Sequence, residues 1–351
     1  MATRYDLTRE TVEARLAALG EPPYRARQVW EGLYVHGTAP ADLTTLPKSL
    51  RQRLAGDPDL APALTAAYES VTEDGATRKW LWTLHDGRQV ETVLMHYPAR
   101  STVCISSQAG CAMACGFCAT GQSGFDRHLT TGEIVEQVVR ARTAAVATGR
   151  RLSNVVFMGM GEPMANYDAV WASVLRLHDE LGLSARHLTL STVGIIPGIR
   201  RLAAEALPVN LAVSLHAAND ELRSELVPIN RRYPLAELAV ACEDYLAAKG
   251  RRLSFEWALI DGVNDRSSDA AELSRFARSL GAHVNLIPLN PTPGYPVRGT
   301  PPERVREFRD RLVVLGVNAT VRRNRGTSID AACGQLRAGR GTAVTLGRLS
   351  D

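Results

Sequence analysis

The apolar residues of this chain recur with two different periods, and each change of period marks a change of predicted element. Within residues 1–60 they recur at helical spacing in three stretches: Val12–Leu19, Val29–Val35 and Leu46–Leu54. Prolines separate these stretches, because proline disrupts a helix interior. The pattern predicts a small N-terminal helical domain, which we place at residues 1–75.

A strand pattern replaces the helical one between Lys79 and Met95. Apolar and polar residues alternate in K-W-L-W-T-L and again in Q-V-E-T-V-L-M, as they do in strands with one buried face. The two runs are joined through Asp86-Gly87, a dipeptide that favours tight hairpin turns. We therefore predict a β-hairpin link at residues 76–100.

From residue 101 onward, short apolar runs alternate with helical stretches. The strand-like runs are at 101–106, 154–158, 187–191, 209–215, 253–260 and 283–288. The clearest helical stretches are at 131–148, 166–181, 234–248 and 268–280. Such an alternation implies an α/β fold with a parallel sheet and right-handed crossovers. Because a closed barrel of this type needs eight strand–helix units, six units predict an open, partial (β/α)6 barrel.

The predicted barrel spans residues 101–325. Its end contains a further helix at 302–315 and a further strand at 317–323. An arginine- and glycine-rich tail follows at residues 326–351. No internal repeat or low-complexity segment is apparent, so we expect a helical domain, a hairpin link, a barrel and a tail.

The composition is that of an ordinary globular protein. Of the 351 residues, 45% are hydrophobic and 22% are charged. No apolar run is long enough to span a bilayer, and the first ten residues contain no apolar signal core. Six cysteines in a chain of this length do not form the dense pattern of a secreted disulfide framework. We expect a cytoplasmic protein with no membrane partner.

Positive charge is concentrated toward the C-terminal end. The net charge is +4, and residues 300–351 contain ten arginines against five acidic residues. Arg322, Arg323 and Arg325 form the closest group, and such a patch suits a polyanion such as RNA. For the arginines between 304 and 311, a solvated helix face is an equally good interpretation.

Cys111, Cys115 and Cys118 lie in one short loop with the spacing Cys-x3-Cys-x2-Cys. A structural zinc ion or an electron-transfer 4Fe-4S cluster takes four protein ligands, so three cysteines leave one metal position open for a substrate. The loop lies between the run at 101–106 and a helix start at Thr130, a place where β/α barrels build their active sites. A structural zinc loop with a distant fourth ligand is the alternative.

Polar groups follow several predicted strands at their carboxyl ends. The run N-V-V-F-M enters the turn G-M-G-E-P, which contains Gly161 and Glu162. Three later strands end in other polar residues: Ser191, Ser214 with His216, and Asn290. Carboxylate, hydroxyl, imidazole and amide groups would therefore surround the end that carries the cysteine loop. Such a set suits a zwitterionic amino-acid ligand.

Together these motifs resemble the radical S-adenosylmethionine superfamily, in which the cysteine loop follows the first strand of a partial barrel. More narrowly, F-M-G-M-G-E-P, L-S-T-V-G-I-I-P, S-L-H-A-A-N-D, V-P-I-N, N-L-I-P-L-N and I-D-A-A-C-G-Q-L are similar to the RlmN family of dual-specificity RNA adenine-C2 methyltransferases. The resemblance covers nearly the whole chain and is densest from Lys79 to Leu336.

The resemblance implies a 4Fe-4S cluster held by Cys111, Cys115 and Cys118. The unique iron of the cluster would bind S-adenosylmethionine, of which two molecules are used per turnover. One electron from the cluster would cleave this cofactor to methionine and a 5′-deoxyadenosyl radical. The residues that the resemblance assigns to the cofactor are Gly161, Glu162, Ser191, Ser214, Leu215, His216 and Asn290.

Three further residues are implied to act on the RNA base. Cys333 matches the family cysteine that is methylated, loses a hydrogen atom from that methyl group and adds to C2 of adenine. Cys104 matches the cysteine that resolves the protein–RNA adduct by forming a disulfide with Cys333. Glu91 matches the glutamate proposed to take the C2 proton.

Residue chemistry alone gives different interpretations of two of these positions. Without the resemblance, Cys104 would be a buried strand cysteine, because free cysteine is among the most buried residue types. Glu91 would be an outward-facing strand residue, because glutamate is rarely buried. Cys242, in the helical stretch 234–248, matches no motif and is predicted to be a core residue.

The substrates implied are an adenosine of large-subunit (23S) ribosomal RNA near the peptidyl transferase centre and the transfer-RNA adenosine 3′ of the anticodon. The N-terminal domain is implied to bind RNA through five residues: Tyr24, Arg25, Arg27, Lys48 and Arg51. We further expect an electron donor such as flavodoxin and a monomeric enzyme.

One segment departs from the family pattern. Thr327 and Ser328 stand where family members often carry acidic residues, which bears on local RNA or loop contacts. The alternative function is that of a sister family, which methylates C8 of the same ribosomal adenosine. Analysis of the modified nucleoside separates the two.

Overall fold

The computed structural model describes residues 2–290, 292, 295–322, 326, 329–332 and 334–336. The strands are β1 (Thr65–Val71), β2 (Thr77–Thr83), β3 (Gln89–His96), β4 (Ser101–Cys104), β5 (Gln108–Gly110), β6 (Phe125–His128), β7 (Leu152–Phe157), β8 (Leu188–Thr192), β9 (Asn210–Ser214), β10 (Leu253–Leu259), β11 (His283–Pro288) and β12 (Ala319–Val321). The α-helices are α1 (Arg9–Ala18), α2 (Pro23–Glu31), α3 (Lys48–Ala55), α4 (Ala119–Gln122), α5 (Thr131–Ala147), α6 (Tyr167–Asp179), α7 (Ile196–Ala204), α8 (Asp220–Leu226), α9 (Leu235–Lys249), α10 (Ser267–Ser279) and α11 (Pro302–Val314).

Ten strands form one sheet in the order β1-β2-β3-β4-β7-β8-β9-β10-β11-β12. Pairing is antiparallel from β1 to β4 and parallel from β4 through β12. Among the described residues β1 and β12 are the two edges and do not pair with each other, so the sheet does not close. The predicted α/β fold with an open, mostly parallel barrel is confirmed, and β12 extends its six strands by a short seventh.

The N-terminal helices pack on the outside of the barrel. Their apolar faces, including Val12, Leu16 and Trp30, are buried, as the helical spacing predicts. Buried Glu136 of α5 links this region to the barrel. Its Oε1 accepts from Arg4 Nη2 at 2.6 Å and its Oε2 accepts from the Ala63 backbone N–H at 2.8 Å.

The predicted hairpin of β2 and β3 is confirmed, with Gly87 in a left-handed conformation at its turn (φ 80°). However, residues 65–71, which the helical domain was predicted to include, form the edge strand β1 and pair with β2. The hairpin is therefore part of a three-stranded antiparallel ribbon. Nearly every side chain of β1 is exposed, so the strand has no alternation that would reveal it.

Short elements around the cysteine loop were also missed by the sequence analysis. β5 and β6 form an antiparallel pair on either side of the loop, and α4 begins directly after Cys118. Elements of three or four residues are too short to show a period.

Of the helices that the structure describes, none is both long and apolar enough to cross a bilayer.

Candidate active site at the strand ends

A cavity of about 160 Å³ lies where the parallel strands end. It is lined by all three cysteines of the loop and by all but one of the residues predicted to bind the cofactor. The lining includes Cys111, Cys115, Cys118, Gly161, Glu162, Ser191, Ser214, His216 and Asn290. The exception is Leu215, which is fully buried and whose backbone N–H donates to the Glu256 carbonyl at 3.0 Å.

The cysteine loop is held in a tight conformation by its own backbone. The Cys111 N–H donates to the Gly124 carbonyl at 2.7 Å, which joins the two ends of the loop. At Gly121, an added Cβ would lie 2.8 Å from the Cys115 carbonyl oxygen, so only glycine fits without displacement. The three thiols are thereby directed to one cavity from a segment of eight residues.

The thiols match the requirements of an iron–sulfur cluster. Burial raises the pKa of Cys111 to about 12 and raises that of Cys115 still further, so both are neutral in the cofactor-free protein. Bound iron would offset this cost, because cationic metal favours the thiolate. Within the described ranges, no three His, Cys, Asp or Glu side chains converge on a single metal ion. Three soft sulfur donors around one cavity instead suit a cluster in which each cysteine binds a separate iron.

Glu162 connects the G-M-G-E-P turn to the neighbouring strand end. Its Oε1 accepts from the Met164 N–H at 2.9 Å and its Oε2 accepts from the Val193 N–H at 2.8 Å. Burial raises the pKa of this carboxyl to about 7, although those two backbone hydrogen bonds lower it. A bound ammonium group near Glu162 would favour its ionised form.

We expect Glu162 to make the cofactor-free protein less stable as pH rises from about 4.5 to about 7. The folded chain holds this proton more tightly than the unfolded chain, so the folded state binds more protons in that window and stability falls as pH increases. The whole change amounts to about 3 kcal/mol and persists above the window. Urea unfolding at several pH values should show a flatter dependence for Glu162→Gln than for the wild type. Equal pH dependence of the two proteins would contradict this assignment.

His216 is held as a neutral hydrogen-bond donor. Its Nδ1 accepts from the Ala258 N–H at 2.9 Å, so in the neutral ring the proton is on Nε2. Burial, with a smaller contribution from Arg223, lowers the pKa of His216 to about 3. The ring also makes an edge contact with Phe117, with centroids 4.8 Å apart. The imidazole therefore stays uncharged at physiological pH.

Arg223 of α8 was missed by the sequence analysis, although it organises two strand ends. Its fully buried guanidinium donates to the Val193 carbonyl at 2.6 Å and to the Leu215 carbonyl at 3.2 Å. It also donates to Asn230 Oδ1 at 2.6 Å. A single arginine in an otherwise acidic helix is typical of a solvated face, so no pattern distinguished it.

Three non-glycine residues of the described chain have a left-handed backbone: Ala114 (φ 55°), His216 (φ 61°) and Asp330 (φ 50°). Each lies in a motif singled out from the sequence, namely the cysteine loop, S-L-H-A-A-N-D and the tail motif. Such conformations cost energy and persist where the surroundings impose them, commonly at functional sites.

A second cavity, of about 640 Å³, adjoins the first inside the barrel. The two share four lining residues: Met158, Glu256, Ile287 and Arg322. Cys104 lines the second cavity together with Val93 of the hairpin and Ala331 of the tail. The predicted resolving cysteine therefore lies beside the cavity that adjoins the cysteine loop.

Strand register brings Cys104 and Glu91 to the same face of the sheet. Val93 pairs with Cys104 on one side and with Lys79 on the other, and directly opposed residues of antiparallel strands share a face. Glu91 is two residues before Val93 and therefore points the same way. It is buried, and its Oε1 accepts from Lys79 Nζ at 3.3 Å. The prediction of an exposed strand glutamate from residue chemistry alone was wrong.

Buried Glu256 and partly exposed Arg322 form an ion pair that the sequence analysis also missed. Arg322 Nη1 donates to Glu256 Oε2 at 3.1 Å, and Asn285 Nδ2 donates to Glu256 Oε1 at 2.8 Å. Because both charged residues line both cavities, the pair lies at their common boundary. Arg322 was predicted from the sequence only as part of a basic patch.

Cys333 lies outside the described residues, as do Arg323, Arg325, Thr327 and Ser328. The residues next to Cys333 are described, and they are anchored on the site. The Gly334 carbonyl accepts from the Ala119 N–H at 2.8 Å, and the Leu336 carbonyl accepts from Thr120 Oγ1 at 2.6 Å. Gly334 and Leu336 are thus hydrogen-bonded to the two residues that follow Cys118.

The predicted RNA-binding residues of the N-terminal region lie on or beside α2 and α3. Tyr24, Arg27 and Lys48 are exposed, and the Arg25 guanidinium lies 4.8 Å from the centroid of the Tyr24 ring. Arg51 is partly buried and donates to the Ala41 carbonyl at 3.4 Å. An exposed aromatic ring with cationic neighbours is a surface on which a base could stack.

Cys242, predicted to be a core residue, is fully buried in α9.

Arg304 of α11 pairs with Asp261 at 2.5 Å and with Asp265 at 2.6 Å. These acids offset the charge of Arg304, which fits a solvated helix face better than a free anion-binding patch.

Comparison with known proteins gives a consistent assignment for both parts of the chain. Residues 105–274 match the radical SAM superfamily. Residues 5–57 match the N-terminal domain of ribosomal RNA large subunit methyltransferases.

Full-length relatives are similar over nearly the whole chain. A probable dual-specificity RNA methyltransferase RlmN of Salinispora tropica is 53% identical over 335 residues, covering 92% of this chain and 89% of the relative. Dual-specificity RNA methyltransferase RlmN 1 of Myxococcus xanthus is 50% identical over 340 residues, covering 96% and 94%. The crystal structure of a radical SAM methyltransferase from Sphaerobacter thermophilus matches with a TM-score of 0.93 and 52% identity, covering 97% of this chain and 100% of that chain.

Proposed function

Because this chain belongs to the RlmN family of radical S-adenosylmethionine RNA methyltransferases, we propose that it methylates C2 of adenosine in 23S ribosomal RNA and in transfer RNA. One structural observation carries the proposal. The three loop cysteines, the polar strand ends and the anchored tail meet around two adjoining cavities. A zinc-stabilised RNA-binding protein would not need that convergence.

Membership of the superfamily implies a 4Fe-4S cluster and S-adenosylmethionine. We assign Cys111, Cys115 and Cys118 as the cluster ligands. When bound, the cluster supplies the electron that cleaves the cofactor to a carbon radical. The protein then has to hold the cofactor, exclude water and present the two reactive cysteines.

The first cavity provides complementary groups for the methionine part of the cofactor. The Glu162 carboxylate accepts hydrogen bonds and favours a neighbouring ammonium group. The His216 Nε2–H would donate to the cofactor, and Ser191, Ser214 and Asn290 add hydroxyl and amide groups to the lining. The backbone at Gly161 (φ 100°) lies against Gln108, where an added Cβ would be 2.5 Å from the Gln108 side chain.

Adenine C2 is a poor nucleophile, which is why a methyl group cannot simply be transferred to it. In the proposed sequence Cys333 accepts a methyl group, loses a hydrogen atom from it and becomes joined to C2 through the methylene carbon. After the addition, one electron has to leave the adduct, and the cluster, when bound, would accept it, while Glu91 takes the C2 proton. The Cys104 thiolate then attacks the sulfur of Cys333, and the bond between that sulfur and the methylene carbon breaks. The carbon keeps the electron pair and takes a proton, which releases the methylated base. The resulting Cys104–Cys333 disulfide needs an external dithiol or equivalent reductant before the next turnover.

The RNA must present an unstacked adenosine, because a base within a helix cannot reach a buried cavity. Ribosomal RNA near the peptidyl transferase centre and the transfer-RNA position 3′ of the anticodon are the proposed substrates. The exposed group on α2 and α3 would bind phosphates or stack on a base. A flavodoxin-type electron donor, a cytoplasmic location and a monomeric state complete the proposal.

The decisive experiment is anaerobic purification and cluster reconstitution, followed by incubation with methyl-labelled S-adenosylmethionine and either RNA. We expect 2-methyladenosine when the nucleosides are separated by mass spectrometry. The appearance of 8-methyladenosine would instead assign the chain to the sister activity. A colourless, zinc-containing and inactive protein would overturn the proposal.

A further inference from the structure

We propose that Lys79 is a positioning residue that fixes the Glu91 carboxylate relative to residues 329–332, the described segment that precedes Cys333. This inference rests on the proposed function, because it assumes that Glu91 and Cys333 react with the same base. It concerns a residue for which neither the motifs nor the proposed reaction sequence has a role. The argument starts from the two contacts of one ammonium group.

Lys79 Nζ donates to two groups from distant parts of the chain. One is Glu91 Oε1 on the adjacent strand, at 3.3 Å. The other is the Asp330 backbone carbonyl, at 3.1 Å, in the tail segment three residues before Cys333. One ammonium therefore joins the proposed base to the segment that carries the proposed methyl acceptor.

Both side chains of this ion pair are nearly removed from solvent, with exposed fractions of 9% for Lys79 and 6% for Glu91. A buried ion pair is poor evidence for a stabilising role, because an apolar pair of similar size usually serves as well. Lys79 also lies in a strand, where a β-branched or aromatic residue would fit the burial better. The presence of lysine here therefore indicates that a positive charge is required between Glu91 and the Asp330 carbonyl.

The face on which Lys79 lies is the reactive one. Lys79, Val93 and Cys104 are opposed in successive strands, and Glu91 is diagonal to Lys79 on the same face. Ala331, next to the bound Asp330 carbonyl, lines the same cavity as Cys104. Lys79 is therefore placed to set the distance between the described tail segment and the Glu91 carboxylate. Lys79 itself does not line the first cavity.

The tail segment that Lys79 binds is a local turn. Asp330 has a left-handed backbone (φ 50°), which is uncommon outside glycine, although aspartate tolerates it better than most residues. The Ala331 N–H donates to the Gly326 carbonyl at 2.8 Å, so the chain turns sharply where Lys79 binds it. Loss of the ammonium would remove one hydrogen bond from this turn and the Lys79 ion pair from Glu91.

The test is Lys79→Ala, with Lys249→Ala as the matched control. Lys249 is the ammonium of α9 that donates to the Glu205 carbonyl, so it makes the same type of contact outside both cavities. We expect Lys79→Ala to lower RNA methylation about 100-fold, the scale of a displacement of about 1 Å at a reacting centre. Hydrogen exchange of the peptide covering residues 329–336 should become faster in Lys79→Ala and remain unchanged in Lys249→Ala.

Chemical rescue separates positioning by charge from simple packing. n-Propylammonium replaces the atoms that Lys79→Ala removes, and 1-propanol has the same size without the charge. We expect propylammonium, but not propanol, to raise the methylation activity of Lys79→Ala about tenfold. It should also slow the hydrogen exchange of residues 329–336 again. Equal rescue by both compounds would show that Lys79 only fills space and would overturn the proposal, as would full activity of Lys79→Ala.

If Lys79→Ala does not fold, the double variant Lys79→Met with Glu91→Gln removes both buried charges at similar volume. It should fold and still show fast exchange of residues 329–336, whereas protection equal to the wild type would overturn the anchoring role. Exchange measurements need no catalysis. A wild-type protein that makes no 2-methyladenosine would therefore refute the proposed function while leaving this contact testable.

Discussion

Replacing Cys104 by alanine is expected to stop the reaction at a covalent protein–RNA adduct. In the proposed sequence the bond between Cys333 and the base is broken only by attack of a second thiol. Cys104 is the cysteine on β4 that lines the second cavity with Ala331 and Ala332 of the tail. Removal of a reacting group of this kind lowers turnover by about four to six orders of magnitude. Labelled RNA should therefore co-migrate with the protein on a denaturing gel, and no methylated nucleoside should be released.

Two variants make this result specific. Cys333→Ala should form no adduct and no product, because the methyl acceptor is missing. Cys242→Ala should form product normally, because Cys242 is buried in α9 and lines neither cavity. Normal product release by Cys104→Ala would refute the two-cysteine sequence, whatever the position of the methyl group.

Replacing Cys115 by alanine is expected to abolish both iron binding and methylation. Its thiol is the most deeply buried of the three in the loop, and burial raises its pKa more than that of Cys111. In the proposed ligand set, loss of Cys115 would leave only two protein sulfurs, which are too few to retain the cluster. Since the proposed reaction depends on the radical that the cluster generates, the rate should fall toward that of the uncatalysed reaction, at least about six orders of magnitude lower.

Iron and sulfide analysis after anaerobic reconstitution measures the first effect, and nucleoside analysis measures the second. Cys333→Ala is the informative control, because it should keep a full complement of iron while remaining inactive. Retention of iron and activity by Cys115→Ala would show that the loop does not hold the cluster.

The barrel and the cysteine loop could be predicted because they depend on local patterns. The buried strands β7 to β11 are short apolar runs between amphipathic helices, and the three cysteines are close in sequence. β1 could not be predicted in this way, because its side chains are exposed and its existence depends on backbone pairing with β2. The spacing of apolar residues reveals which face of an element is buried. An exposed edge strand has no buried face and therefore shows no such spacing.

Much of the site's chemistry depends on register, which composition and spacing do not reveal. Glu91, apparently an exposed strand residue, is a buried acid, and the pairing of β2 with β3 places Lys79 diagonally opposite it. Arg223 and the pair of Glu256 with Arg322 were missed for the same reason. Their partners are carbonyls, amides and carboxylates on other elements. Motif resemblance supplied the proposed reactive residues, but the groups that contact them required the three-dimensional structure.

The hydrogen bond from Thr120 to the Leu336 carbonyl joins residues that are 216 positions apart. A ribosome that adds about 5–20 residues per second therefore releases the cysteine loop roughly ten to forty seconds before the tail. Strands β7 to β12 are made during the same interval, from Leu152 to Val321. The contact of Leu336 with the residue that lies two positions after Cys118 can therefore form only after the whole barrel has been synthesised.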